Sequence, residues 1–446
     1  PTSKPQYPTD IQQNTLISYY GRLIYTYADK YILSGSIRTD GSSRFAPDVR
    51  WGVFPSGALT WRINQENFLK NVRAVSDLKL RLSYGVTGQQ EGIANYSYLP
   101  AYYSGSSTSQ YQFGNTFYTP YTPAAYASDI KWEQTQSYNA GIDVGLLKNR
   151  ISATVDVYTR KTTNLLNSLN LAAGTNFTNI ITDNVGDMSS KGIEVTLNAT
   201  PVQNKNFSWN LSYNFSYTTR KITRLTKAND STFIGNLTGP GVDVQNTQVQ
   251  INSIGYTPFS FYVYKQVYDA KGQPIEGLYA DLNRDGVINS KDLYRYKSPF
   301  APVKMGFSTS FSYKQWSLST VLRASIGNYL YNQVYAGNGN TATIISPNSF
   351  IQNVPKAALD AGFATYQRQS DYYIYNASFL KMDNLGLSYN VGNIINKKAR
   401  LLVGAYCQNV FIVTKYPGID PEVYSGVDNV IYPRPRTFTL SANLTF

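Results

Sequence analysis

The chain has 446 residues and a formal net charge of +13, with 39 Tyr and 20 Phe against three Met, one Cys and no His. Without imidazole the commonest general base and metal ligand is missing, and a single Cys makes neither an internal disulfide nor a thiolate metal cluster, so no enzymatic chemistry is expected. The Lys and Arg are scattered with no basic helix or nucleic-acid motif, which argues against nucleic acid as a partner, and no run approaches the roughly 18 apolar residues of a membrane helix.

Aromatic, β-branched and Thr-rich usage suits strands. Alternation along the chain predicts about 13 of them, most ten or more residues long, a length unusual in globular sheets and normal for a barrel strand that crosses a membrane. The N-terminal PTSKPQYPTD has no initiating Met and no apolar signal core, so a removed leader or a missing upstream part is expected. The first hairpin is LISYYGRLIYTY and YILSGSIRT around residues 28–30, with Ile17, Tyr19, Gly21, Leu23, Tyr25 and Tyr27 on one face. FPSGALTWRI and DLKLRLSYGV follow, then KWEQTQSYN leading into the hairpin SYNAGIDVGLL and RISATVDVYTR around residues 148–149. GIEVTLNATP and FSWNLSYNFSY flank residues 202–206, and MGFSTSFSY and WSLSTVLRASIG flank residues 314–315. FLKMDNLGLSYNV, ARLLVGAYCQNV and the terminal RTFTLSANLTF complete the set, and Cys407 is expected as a packed or lipid-facing thiol.

The connections alternate. Tight polar turns interleave with long segments near 87–130, 161–189, 221–302 and 328–376, the asymmetry of transmembrane barrels, whose short turns are periplasmic and long loops external. On that polarity both the first and the last strand run inward. A complete single-chain barrel has an even strand number, so an odd count entered from outside implies sequence upstream of residue 1. Loops such as NYSYLPAYYSGSSTSQYQFGNTFYTPYTPAAYASD (95–129) are rich in Tyr, Asn, Gly and Ser. They are expected to pack on themselves or to contact a sugar or peptide directly.

Within the longest loop stands DLNRDGVINSKD, residues 281–292. Asp281, Asn283 and Asp285 occupy positions 1, 3 and 5 of a calcium loop, Gly286 the tight bend, Val287 the carbonyl position and Asn289 a water-mediated one. Asp292 closes the set. Asp at the last position is shorter than the usual Glu, and Arg284 and Lys291 reduce the local negative potential. A structural Ca²⁺ is the expected occupant; the alternative is an Asx-rich turn whose side chains cap its own backbone.

From these residues the chain resembles the SusC/RagA-like TonB-dependent transporters of Gram-negative outer membranes. The matching stretches are FPSGALTWRINQENFLK with VSDLKLRLSYGVTGQQ, WEQTQSYNAGIDVGLLKNRISATVDVYTRKTTNLL, NVGDMSSKGIEVTLNA, GLYADLNRDGVINSKD, ASFLKMDNLGLSYNV, QNVFIVTKYPGIDPEV and PRPRTFTLSANLTF. The resemblance implies an all-β, transmembrane antiparallel β-barrel of 22 strands, of which residues 1–446 would form the C-terminal part, with the plug domain and the TonB-contacting box outside this chain. It implies a SusD-like surface lipoprotein as partner, TonB as the energy source through the missing N-terminal region, and import of glycans or, in some branches, peptides. It also implies outer-membrane lipid around the barrel and a terminal aromatic that the assembly machinery reads. The rival readings are a non-transporting adhesin and a passive porin.

Overall fold

The computed structural model describes residues 11–446 apart from 106–108, 124–125, 171–179, 228–231, 244, 345–350, 352, 395–397 and 431; the N-terminal PTSKPQYPTD lies outside them. Thirteen strands form one antiparallel sheet in which each strand pairs with its neighbours in sequence along the wall. They are β1 (Leu16–Tyr27), β2 (Tyr31–Ser42), β3 (Trp51–Arg62), β4 (Val75–Gln89), β5 (Glu133–Leu146), β6 (Ile151–Asn170) and β7 (Ile180–Gln203). β8 (Phe207–Arg224), β9 (Val303–Tyr313), β10 (Trp316–Ile326), β11 (Phe379–Ile394), β12 (Ala399–Thr414) and β13 (Thr437–Thr445) complete it. All the turns read as tight fall on one side of this sheet, and the connections 90–132, 225–302, 327–378 and 415–436 fall on the other. In the first turn Ala28 and Asp29 are both left-handed, at φ 51° and 57°, the conformation whose twist suits a two-stranded ribbon.

Register turns the sequence alternation into a surface. Tyr25 lies opposite Leu33, Leu33 opposite Leu59, Leu59 opposite Leu82, and Leu82 opposite Ala140. The row continues through Val157, Ile193 and Tyr217. From the other edge, Leu440 faces Ala405, which faces Leu387, Leu318 and Phe311 in turn. One face is therefore apolar across all 13 strands, and its large side chains, Leu33, Leu59, Leu82 and Leu440 among them, are exposed. Cys407 stands on this face between Leu385 and Phe438.

Aromatic pairs border the apolar band on both sides. Tyr31 stacks on Trp61 and Trp209 on Phe311 at 5.5 Å, and Trp316 packs tilted against Tyr389 at 4.6 Å, beside the short turns, while Tyr19 stacks on Trp51 beside the long connections. Such girdles mark the two membrane–water interfaces of a barrel. The described buried apolar clusters lie at the long-connection side: Val249, Phe261, Tyr331, Phe363 and Tyr373 form one, and Phe45, Phe54, Ile130, Trp132 and Ile181 another. The 13-stranded sheet has no facing sheet of comparable size among the described residues. A filled sandwich core is thereby excluded.

The segment expected as a loop at 161–189 differs. β6 and β7 stay paired to Asn170↔Ile180, well past the roughly 9–11 residues that cross a bilayer, so this hairpin projects beyond the membrane. Its far end buries Ile181 and Val185 and seats Asn184, which accepts the Lys131 amide at 2.7 Å and donates to the Lys131 carbonyl at 2.9 Å. Strand continues here because the loop 90–132 packs against it, a long-range contact that local alternation does not encode. Likewise β7 runs to Gln203, shortening the turn expected at 202–206 to 204–206.

Candidate functional site: a charged inner wall under a folded loop cap

The polar face of the sheet carries charge at mid-strand. Arg81 donates two bonds to Asp143, at 2.8 and 2.9 Å, and one to Asp156 at 3.1 Å. The reach to Asp156 passes over Gly141, where a Cβ would collide with both side chains. Along the same row Asp156 is followed by Glu194, Ser216 and Lys304. Charge of both signs along one row gives a wetted wall rather than a dry core.

Nearer the long connections, the segment 415–436 is pinned to the wall through Glu422. This carboxylate accepts Arg323 Nη2 at 2.8 Å, Lys381 Nζ at 3.1 Å and Arg434 Nη1 at 3.1 Å. Arg323 also binds Asp383, and Arg434 binds Asp420 at 2.6 Å. Burial would raise the Glu422 carboxyl, but Arg323 and Lys381 outweigh it and hold it below the usual carboxylate range. The cluster balances three cations against three anions, the arrangement that makes partly buried charge tolerable.

Above it the connections form a packed cap. A four-stranded sheet (Asn236–Gly241, Gln248–Asn252, Ser260–Val263 and Tyr294–Arg295) and a three-stranded one (Tyr329–Asn332, Ile374–Asn376 and Val427–Asp428) share the core around Tyr331. Asp371 accepts the Gln266 amide at 2.9 Å and the Tyr294 hydroxyl at 2.6 Å, tying 225–302 to 327–378. For these residues self-packing is the observed state. In the 90–132 connection, by contrast, Tyr102, Tyr111, Phe113, Phe117, Tyr118 and Tyr121 are exposed on two small hairpins.

The Asp-rich loop lies at the edge of this cap. Asp281 accepts the amides of Arg284 at 2.6 Å and Gly286 at 2.8 Å, Asn283 that of Asp285 at 2.9 Å, and Asp285 that of Val287 at 2.9 Å. Asn289 accepts from Lys291 at 2.9 Å and caps a short 3₁₀ turn, while fully buried Asp292 accepts from Leu282 and Asn289, each at 2.9 Å. The amide of Asn289 and those of Leu282 and Asn283 hold the Asp292 carboxyl low against the cost of burial. Gly286 is left-handed at φ 80° with open space around it, as the sharp bend needs. The side chains of Asp281, Asn283, Asp285, Asn289 and Asp292 thus serve the Asx-rich turn, and Asp292 Oδ1 takes the amides of both Leu282 and Asn283.

Arg81, Asp143, Asp156, Arg323, Lys381 and Glu422 are absent from the residues singled out in sequence. The available signal was a charge on the polar positions of an alternating strand, as in DLKLRLSYGV, AGIDVGLL and ATVDVYT; only register reveals that these meet.

An antiparallel wall with an oily outer face, aromatic borders, a charged inner face and structured loops on one side is the wall of an outer-membrane β-barrel. Residues 1–430 match the family model described as TonB dependent receptor-like, beta-barrel. The chain belongs to that family, whose members are outer-membrane proteins of Gram-negative bacteria. It is 44% identical over 441 residues to the TonB-dependent receptor SusC of Bacteroides thetaiotaomicron, covering 97% of this chain and 44% of that protein. It is 31% identical over 473 residues to the TonB-dependent receptor P3 of Formosa agariphila, covering 98% and 46%. The RagAB peptide importer in its open-open state superposes with a TM-score of 0.79 at 26% identity, covering 97% of this chain and 47% of that one. The chain therefore spans a little under half the length of these relatives.

Proposed function

We propose that this wall is the C-terminal part of the 22-stranded barrel of an active importer that takes up oligosaccharides across the outer membrane. In this reading a SusD-like lipoprotein closes over the cap, and TonB, acting on a plug encoded upstream, opens the lumen. The observation that carries it is the set of exposed aromatics Tyr102, Tyr111, Phe113, Phe117, Tyr118 and Tyr121, in a connection on the long-connection side of a polar, charged wall: aromatic faces stack on sugar rings, and the polar wall lets a hydrated solute pass. The 44% identity to the TonB-dependent receptor SusC supports the TonB-driven part of this reading. No bond is made or broken in the substrate.

A second reading, peptide import, has its own support in the likeness to the RagAB peptide importer. Deleting the gene and growing cells on defined oligosaccharides or on oligopeptides as sole nutrient tests both. Loss of growth on oligosaccharides alone is expected; loss on peptides alone replaces the first reading with the second. Uptake that persists without TonB would make the barrel a passive porin, and surface adhesion lost with no uptake defect would make it an adhesin.

We also propose a structural Ca²⁺ at residues 281–292, held by Asp281, Asn283, Asp285, the Val287 carbonyl, Asn289 and Asp292. The donors are all oxygen, as a hard cation requires, and the ion's part would be to stiffen this edge of the cap.

A further inference from the structure

The outer face of β6, β7 and β8 carries a group of lysines that the inner wall and cap do not use. Alternation without interruption from Val155 places Lys161 outward, and the same parity places Lys191 and Lys221 outward from Ile193 and Tyr217. Lys161 and Lys221 lie on either side of Ser189 in one row, and Lys191 stands two positions below Ser189 on the middle strand. Two strand spacings separate the outer pair, about 9–10 Å, and Lys191 lies about 7 Å down the strand, spacings that three flexible lysine side chains can bridge to one ligand in front of Ser189. All three are exposed, and among the described residues none of their ammonium groups takes part in an ion pair or a hydrogen bond, the one side-chain bond here being from the Thr219 hydroxyl to the Lys191 carbonyl. No outward position of these strands from the lysines down to the short turns carries Asp or Glu.

Their height matters. The row below Lys161 is Thr159, directly opposite Lys191, and Thr159 forms the rim of a groove of about 780 Å³ in the apolar face. Gly57, Leu59, Leu82, Tyr84 and Tyr138 line it onward across β3–β5. The groove exists because Gly57 has no side chain: a Cβ there would approach only Ser34 O, at 3.8 Å. A cationic patch on the long-connection side therefore adjoins an apolar groove that runs across the strands from β6 to β3, along the row of Thr159, Tyr138, Tyr84 and Gly57 and the next row below it, and the volume lies in the range of specific ligand sites.

We propose that Lys161, Lys191 and Lys221 bind the phosphate of a phosphorylated outer-leaflet lipid whose acyl chain lies in the groove floored by Gly57. Membrane-interface lysines attract anionic headgroups, and a triangle of three around one point suits a single multiply charged phosphate better than dispersed solvent. The groove supplies the apolar half of the ligand.

The test uses the full-length outer-membrane protein in detergent, titrated with diphosphorylated lipid A, with its dephosphorylated form and with inorganic phosphate, with native mass spectrometry counting bound lipid. Wild type should retain diphosphorylated lipid A at least tenfold more tightly than the dephosphorylated form, and added salt should narrow the gap. K161Q/K191Q/K221Q should lose that preference, K191Q alone should lose part of it, and Gly57→Leu should weaken both lipids by filling the slot. Arg160→Gln with Arg220→Gln, inward-facing neighbours, should change nothing. Equal retention of both lipids by wild type, or unaltered retention by the lysine variants with folding intact, overturns the proposal. So does inorganic phosphate binding as tightly as the lipid. If Gly57→Leu instead changes oligomeric mass with lipid retention unchanged, the groove faces a second copy and the proposal fails.

Discussion

Glu422 accepts a hydrogen bond from Arg323 at 2.8 Å across 99 residues of chain. One residue belongs to the connection before the last strand and the other to β10, so this contact fastens a cap segment to the inner wall. Lys381, with 6% of its side chain exposed, shares the same carboxylate.

Replacing Glu422 by Gln leaves Arg323 and Lys381 short of a counter-charge in a partly buried site, at a cost of about 3 kcal/mol. Hydrogen exchange over 415–436 should speed up markedly while that of β1–β3 stays as it was. Unchanged protection of 415–436 would mean that the apolar cluster around Leu330, Ala377 and Tyr416 holds the segment without the charges.

At the short-turn side Glu66 accepts Lys30 Nζ at 2.8 Å, the Tyr31 hydroxyl at 2.9 Å and Trp61 Nε1 at 3.1 Å. Lys30 first, then Tyr31 and Trp61, pull its carboxyl down to about 2. A carboxyl lowered in the folded state stabilises fully above its ordinary range near 4.5 and less and less as pH falls toward 2. Between pH 7 and pH 3 wild type should therefore lose more thermal stability than Glu66→Gln. Parallel curves for the two proteins would remove Glu66 from the pH response.

Leu440 stands opposite Ala405 on the apolar face, and Ser441 opposite Gly404 on the polar one. Arg in place of Leu440 or Leu444 should reduce folding stability in lipid vesicles by about 2–4 kcal/mol at mid-membrane depth, and Arg in place of Ser441 or Asn443 by distinctly less. Chemical unfolding from vesicles reads the difference; the same penalty on both faces would contradict the assignment of lipid and water sides.

Substituting Asp281 and Asp285 by Ala removes two ligand charges and the turn bonds to Arg284, Gly286 and Val287. If Ca²⁺ occupies 281–292, a chelator should raise protease cleavage within 225–302 in wild type and add nothing in the double variant. Cleavage that ignores chelator in both, but rises with the substitutions, assigns these side chains to turn-capping alone.

Much of the wall was legible because a membrane strand imposes a rule on each residue separately: lipid on one side, water on the other, period two. The terminal Phe438, Leu440, Ala442 and Leu444 obey it as plainly as Tyr25 or Leu33. The extent of β6 and β7 was not legible. Beyond the bilayer that rule lapses, and Asn184 and Ile181 are held by the loop 90–132 instead. The calcium-like spacing could be read in one line of sequence, whereas the hydrogen bonds that the same side chains make within their own turn could not.

By itself, then, the sequence determined the strands, their two faces, the tight turns and the family likeness, since each is set by local chemistry against a fixed solvent. Tertiary structure alone decided which charges meet. Arg81 reaches Asp143 and Asp156, Arg323 reaches Glu422, and three lysines gather around Ser189 because strand register brings together residues tens of positions apart, a relation no single segment contains.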